Sequence, residues 1–249
     1  MANPTRYAPA STAWAGADGA TETAAVVAVA GGRTALVAGA SGLVGQEILQ
    51  GLLADKAIAA VHTLGRRPLH LQHPKLTQHT VDFAALPPLS AVDEVYLALG
   101  TTIKVAGSQA GFRAVDFDAN LAVARAARAQ GATRAGVVSA MGADPASRVF
   151  YNRVKGELEE ALKGLGFQTL AIARPSVLAG DREALGQPTR MGEKMALRLT
   201  ALLAPLIPDN YKAIPAAGVA RSLRRAVAGG QGLVLMMSGE LRRPESGDR

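Results

Sequence analysis

Tyr151 and Lys155 stand four residues apart, and Ser139 lies twelve residues before the tyrosine. On a helix, positions i and i+4 share a face, so phenol and ammonium would project together. A free tyrosine ionises near a pKa of about 10. A neighbouring ammonium favours phenolate and brings proton exchange closer to neutral pH. Ser139 follows an apolar run, where its hydroxyl would hydrogen-bond and polarise a substrate oxygen. The bland alternative is a surface tyrosine beside a solvated lysine.

A second set of residues suits a phosphate. Residues 39–45 read GASGLVG, with Gly39, Gly42 and Gly45 in the pattern G-x-x-G-x-x-G. Gly39 permits a tight turn, Gly42 lets backbone approach a pyrophosphate, and Gly45 allows close helix–strand packing. The free amides and positive end of the following helix would then face the anion. With 27 glycines in the chain, the spacing alone is weak. Its place between an apolar strand and an amphipathic helix is what carries the reading, against the alternative of a glycine-rich turn.

About 20 residues further on, an NAD-binding fold has an acidic residue for the ribose diol. This chain has Gly65-Arg66-Arg67 there. Two guanidiniums can hold a 2′-phosphate bidentately, so NADP(H) is expected over NAD(H), with NAD(H) the alternative. A solvated basic loop is the bland reading. Lys155 would then also hold the nicotinamide ribose.

The elements needed to position these residues follow in regular alternation. Strands are predicted at Thr34–Ala38, Ala60–Leu64, Leu76–Val81, Glu94–Leu99, Ala135–Ser139, Gln168–Ala173 and Leu233–Met237. Helices are predicted at Val44–Leu53, Phe112–Gln130, Asn152–Lys163, Glu193–Leu203 and Ala216–Ala228. Strand–helix alternation with short links predicts an α/β fold, a doubly wound parallel sheet of Rossmann type with right-handed crossovers. The expected strand order is 3-2-1-4-5-6, with a seventh strand from near the C-terminus. The expected organisation is a disordered extension over 1–32, one dinucleotide-binding domain with a small C-terminal cap over 33–238, and a flexible tail over 239–249.

Composition narrows the chemistry. The 249 residues include no cysteine, which excludes disulfide scaffolds, thiolate metal sites and cysteine nucleophiles. The four histidines, His62, His70, His73 and His79, show no HExxH spacing, and no metal site is expected. The net charge is +7, but the basic residues are scattered and aromatics are only 4%. No nucleic-acid partner is therefore expected. No apolar run reaches the ~18 residues of a spanning helix. Residues 1–32 carry Arg6 but no basic cluster ahead of an apolar run, which argues against a secretory signal and toward a cytoplasmic protein.

The linked segments GASGLVG, GRRPL, VDF, LGTT, VVSAMGA, YNRVKGELE, ARPSVLAGDRE and RMGE resemble an atypical branch of the short-chain dehydrogenase/reductase superfamily. The likeness is to the Tat-interacting oxidoreductase group and its bacterial epimerase-like relatives, and it runs from about Thr34 to about Ala228. The resemblance implies that Gly39, Ser41, Gly42, Leu43, Val44 and Gly45 line the pyrophosphate. It assigns Arg66 and Arg67 to the adenosine phosphate, Asp82 and Phe83 to the adenine, and Leu99, Gly100 and Thr101 to the riboses. Pro175 and Ser176 would border the nicotinamide, and Ser139, Tyr151 and Lys155 would be the catalytic set. Several positions also have bland readings: Asp82 as a turn residue, Gly100 as a strand end, Arg190 with Glu193 as a helix-start salt bridge, Arg182 as solvated. One position departs from the pattern. Many extended members have an asparagine where this chain has Asp116, with Asn120 one turn later. That substitution bears on the proton relay which the asparagine supports.

The function expected from this reading is an NADP(H)-dependent oxidoreductase acting on a small carbonyl or alcohol. The alternatives are an NADP(H)-sensing regulatory protein with little turnover and a sugar-nucleotide epimerase-like enzyme. A homodimer through the long helix and the Tyr151 helix is also expected.

Overall fold

The computed structural model describes residues 31–176, 178–179 and 214–241. Within it, six parallel strands form in chain order: β1 (Arg33–Ala38), β2 (Ile58–Gly65), β3 (Leu76–Thr80), β4 (Glu94–Leu97), β5 (Arg134–Val138) and β6 (Thr169–Arg174). β7 (Leu178–Ala179) and β8 (Ile214–Pro215) form a separate two-stranded ladder. β9 (Gly232–Met237) joins the edge of the main sheet, whose order is β3-β2-β1-β4-β5-β6-β9. Every pairing in that sheet is parallel, as expected for strands buried by helices on both faces.

Two layers of helix cover the sheet. On one face, α1 (Leu43–Ala54) and α6 (Ala216–Gly229) close over Ala35, Val37, Val61 and Tyr96. On the other, α4 (Asn120–Ala129) and α5 (Phe150–Lys163) close over Leu36, Val95, Val137 and Ile172. Successive strand residues point to opposite faces, so Leu36 and Val37 serve different layers.

Besides the β7–β8 ladder, three helical elements differ from the sequence expectation. The long helix expected at Phe112–Gln130 is compound: α3 (Gln109–Arg113), a π-helical turn (Ala114–Ala119), then α4. A further short helix, α2 (Ile103–Ala106), precedes it; Thr102 caps that helix through a 3.1 Å bond from the Val105 amide. The chain after β9 does not fray at residue 239, because Ser238–Leu241 forms a helical turn, α7. Leu241 is 1% exposed and lies in the core with α6; that buried leucine is what the polar composition of the segment concealed. The extension over 1–30, the helix expected at Glu193–Leu203, most of the cap, Arg182, Arg190 and Glu193 lie outside the described residues.

Two of the four histidines pair across β2 and β3, His62 Nδ1 to His79 Nε2 at 3.0 Å with stacked rings. Burial, and then the neighbouring His79, push His62 down to about 4. Among the described residues no helix is long and apolar enough to cross a membrane.

Candidate functional site

Parallel strands put all their carboxyl ends on one edge of the sheet, and the residues following six strands meet there. After β1 the chain turns at Gly39, with φ of 89°. A Cβ at Gly39 would stand 2.5 Å from the Ala98 carbonyl, and one at Gly45 would stand 2.0 Å from Gly39 O. Both positions therefore demand glycine, and α1 sits directly on the turn. The Gly42 amide donates to Gly39 O at 3.0 Å. Gly42 is the N-cap of α1, with no side-chain cap and no acidic residue in the first turn. The helix thus presents uncapped amides and its positive end without a carboxylate of its own, which suits an anion. Ser41 is exposed beside this turn. Leu43 and Val44 pack their side chains into the core, so only their backbone can face a phosphate.

Arg66 and Arg67 follow β2 directly and are both exposed. Asp82, after β3, accepts from the Ala84 amide at 2.9 Å. That bond makes it a turn residue whatever else it meets. Phe83 packs, part-buried, against the core on the face that α4 and α5 cover.

The turn after β4 is tied to the compound helix. Asn120 Nδ2 lies 3.1 Å from Leu99 O. The Thr101 amide donates to Asp116 Oδ2 at 2.8 Å, and Gly100 passes beside the same carboxylate. Asp116 Oδ1 meets Lys155 Nζ at 2.7 Å, with side chains 1% and 5% exposed. Burial alone would lower Lys155. The charges of Asp116 and Tyr151, the hydrogen bond to Asp116 and the charge of Glu159 outweigh it, and hold Lys155 above the ordinary lysine value.

Tyr151 lies one turn before Lys155 in α5. Its ring leans on buried Phe112 at 5.5 Å between centroids. Tyr151 as a whole is 37% exposed, so a substrate can reach it.

Ser139 departs from its expected role. Its hydroxyl donates to Glu159 Oε1, and a hydroxyl has one proton to give. The proton that would polarise a substrate oxygen is committed elsewhere in this structure. Glu159 is 1% exposed and is clamped by Arg174 at the end of β6, with Nε at 3.0 Å and Nη2 at 2.5 Å. Pro175 follows; its carbonyl accepts from the Met141 amide at 3.1 Å. Ser176 is held by Ser238 of α7, through its amide at 2.9 Å and its hydroxyl at 2.8 Å.

The structure thus brings Tyr151 and Lys155 together and places Ser139 in a separate buried cluster. Glu159 and Arg174 are the members that sequence reasoning missed. The signal was present: Glu159 repeats the i+4 step from Lys155, an acidic residue on the stripe that α5 buries. Asp116 was singled out only as a departure from a pattern; its ion pair needed the fold.

No family model matches the chain. Protein HTATIP2 of Rattus norvegicus is 34% identical over 208 residues, covering 80% of this chain and 84% of that protein. The chain belongs to the HTATIP2 and FMP52 family. Its fold is the one that solved short-chain dehydrogenase structures share. The fungal members include protein fmp52 of Emericella nidulans, 38% identical over 155 residues, which are 58% of this chain and 66% of that one. The Aspergillus fumigatus protein is 36% identical over 184 residues, covering 70% and 76%. Both fungal members of the HTATIP2 and FMP52 family are named as mitochondrial, and the expectation of a cytoplasmic protein does not stand against that. Solved structures show the same fold. MoeE5 in complex with UDP-glucuronic acid and NAD superposes with a TM-score of 0.64 at 18% identity, over 83% of this chain and 76% of that one. A short chain dehydrogenase family protein from Francisella tularensis gives 0.61 at 14%, over 85% and 100%.

Proposed function

We propose that this chain is an NADP(H)-dependent oxidoreductase acting on a small carbonyl or alcohol. The observation that carries the reading is the Tyr151–Lys155 pair on the carboxyl edge of the sheet, the same edge on which α1 presents its uncapped amides. The dinucleotide, when bound, supplies or accepts the hydride.

The chain's own residues do the rest. The amides at Leu43 and Val44, with the close turn at Gly39 and Gly45, hold the pyrophosphate. Arg66 and Arg67 take the 2′-phosphate as a planar fork. The turn Leu99-Gly100-Thr101, pinned by Asn120 and Asp116, borders the riboses. Lys155 fixes the charge beside the phenol. Tyr151 gives a proton to the carbonyl oxygen in reduction, or removes one from the hydroxyl in oxidation. General acid–base assistance of this kind supplies about 10²–10⁴-fold in rate.

A second reading, a dinucleotide-sensing protein with little turnover, is favoured by the engagement of the Ser139 hydroxyl with Glu159. One experiment separates the two. A panel of aldehydes, ketones and quinones is screened by NADPH absorbance with the unmutated protein and with Tyr151→Phe. The oxidoreductase reading expects a substrate whose reduction falls about 10²–10⁴-fold in the variant, with NADPH affinity retained. A substrate reduced equally by both proteins removes Tyr151 as the acid. Tight NADPH binding with no turnover on any substrate moves the assignment to the sensor.

A further inference from the structure

Lys155 is buried as a cation, and a buried cation requires an anion. Its partner is Asp116, brought to 2.7 Å by the π-helical turn. The same carboxylate accepts the Thr101 amide with its other oxygen, so one side chain spans the lysine and the turn after β4. Asn120 Nδ2 anchors the turn from below, on Leu99 O at 3.1 Å, Val115 O at 3.1 Å and Asp116 O at 3.2 Å. A π turn inserts an extra residue into a helix, and here that insertion is held at both ends by named hydrogen bonds.

We propose that Asp116 is a positioning residue of this site, which fixes the Lys155 ammonium and neutralises part of its charge, so that less of that charge acts on the Tyr151 phenol. The proposal rests on Tyr151 being the proton-exchanging group.

The charges around the pair leave Asp116 as the deciding one. On α5 itself, Glu159 also faces Lys155 but is clamped by Arg174 of β6. Arg113 of α3 and Arg153 of α5 are both taken up by Glu157. With Asp116 ionised, the ammonium already has its counter-ion, and a phenolate at Tyr151 would add a second negative charge to a pair that is neutral. Without that carboxylate, the group best placed to become the missing anion is the phenol one helical turn away. Asp116 therefore acts on Tyr151 through Lys155.

Asp116→Asn keeps the shape of the side chain and an acceptor for the Thr101 amide while removing the charge. The test is an ultraviolet difference titration of tyrosine in the unmutated protein, in Asp116→Asn and in Lys155→Met. Tyr151→Phe identifies the Tyr151 step among the four tyrosines. The step is expected to fall by about one pH unit or more in Asp116→Asn, the size of effect that a neighbouring charge exerts. In the Lys155→Met background the same substitution should move it much less. Asp116→Ser is the second uncharged variant, with the same expected shift, should the asparagine protein not fold. A step that stays in place in a folded uncharged variant overturns the proposal, as does an equal shift with and without Lys155. The titration needs neither substrate nor turnover. An unmoved step therefore leaves the oxidoreductase reading standing, and a moved step in a protein with no turnover leaves the electrostatic role standing without it.

Discussion

Ser139 shows how little a side chain's type says about its partner. It stands at the end of a strand, 5% exposed, where a hydroxyl aimed at the substrate was the natural reading. Glu159 and Arg174 reach the same place from α5 and β6 and capture it. A buried carboxylate with one cation still has lone pairs to satisfy, and the nearest available proton is the serine's. Ser139→Ala should therefore act mainly on stability. A lost hydrogen bond to a charged group costs about 1.5–3 kcal/mol, read as a lower denaturation midpoint at unchanged slope. Turnover should fall far less than in Tyr151→Phe. A collapse in turnover at unchanged stability would return Ser139 to the substrate oxygen. Tyr151 and Lys155 were legible because both lie on one helix, where spacing fixes proximity. Glu159 for Ser139 and Asp116 for Lys155 were not, because each partner arrives from a different element.

At the scale of elements, the alternation of apolar runs and amphipathic stretches was enough to order the sheet, since a strand buried on both faces has few other sequences available to it. Boundaries shifted by a residue or two. What hydrophobic periodicity could not show is the π turn: an inserted residue moves the register by a fraction of a turn, and the apolar stripe of α4 resumes beyond it. Asp116, Thr101 and Lys155 hold the insertion in place through contacts outside the helix. The glycine loop is the opposite case, legible because its constraint is local. Gly45 puts that constraint to the test. Its missing Cβ would lie 2.0 Å from Gly39 O, while a Cβ at Gly164 would meet nothing nearer than 3.5 Å. Gly45→Ala must push α1 off the turn. Overpacking of this kind costs about 1–3 kcal/mol, and here it should also abolish dinucleotide binding by calorimetry, because the amides move with the helix. Gly164→Ala should leave both melting temperature and affinity near those of the unmutated protein. Retained binding in Gly45→Ala would mean that the anion does not sit on this turn.

At the scale of the whole molecule, the order β3-β2-β1-β4-β5-β6-β9 reverses direction between β1 and β4. Ligands of open parallel sheets bind at the carboxyl ends beside such a reversal. The glycine loop flanks it on one side, the Leu99–Thr101 turn on the other, and Arg66 and Arg67 stand one strand further out. A ligand lying along this edge contacts loops from β1, β2, β4, β5 and β6 at once, so its binding energy is linked to the folding of the sheet as a unit. At a ligand concentration of 100 times Kd, that linkage is worth about 2.7 kcal/mol. For a domain of this size one kcal/mol moves the melting temperature by about 2–4 °C, so NADPH at that excess should raise it by roughly 5–10 °C. NADH at the same concentration should raise it less, because the two guanidiniums have no 2′-phosphate to hold. The Arg66→Ala/Arg67→Ala protein should respond equally to the two dinucleotides, with the loss confined to the NADPH response. Both arginines are exposed, so the substitutions should leave the unliganded melting temperature in place, and any change in the NADPH response belongs to binding. Equal shifts with NADPH and NADH in the unmutated protein would remove the 2′-phosphate from the role assigned to this pair.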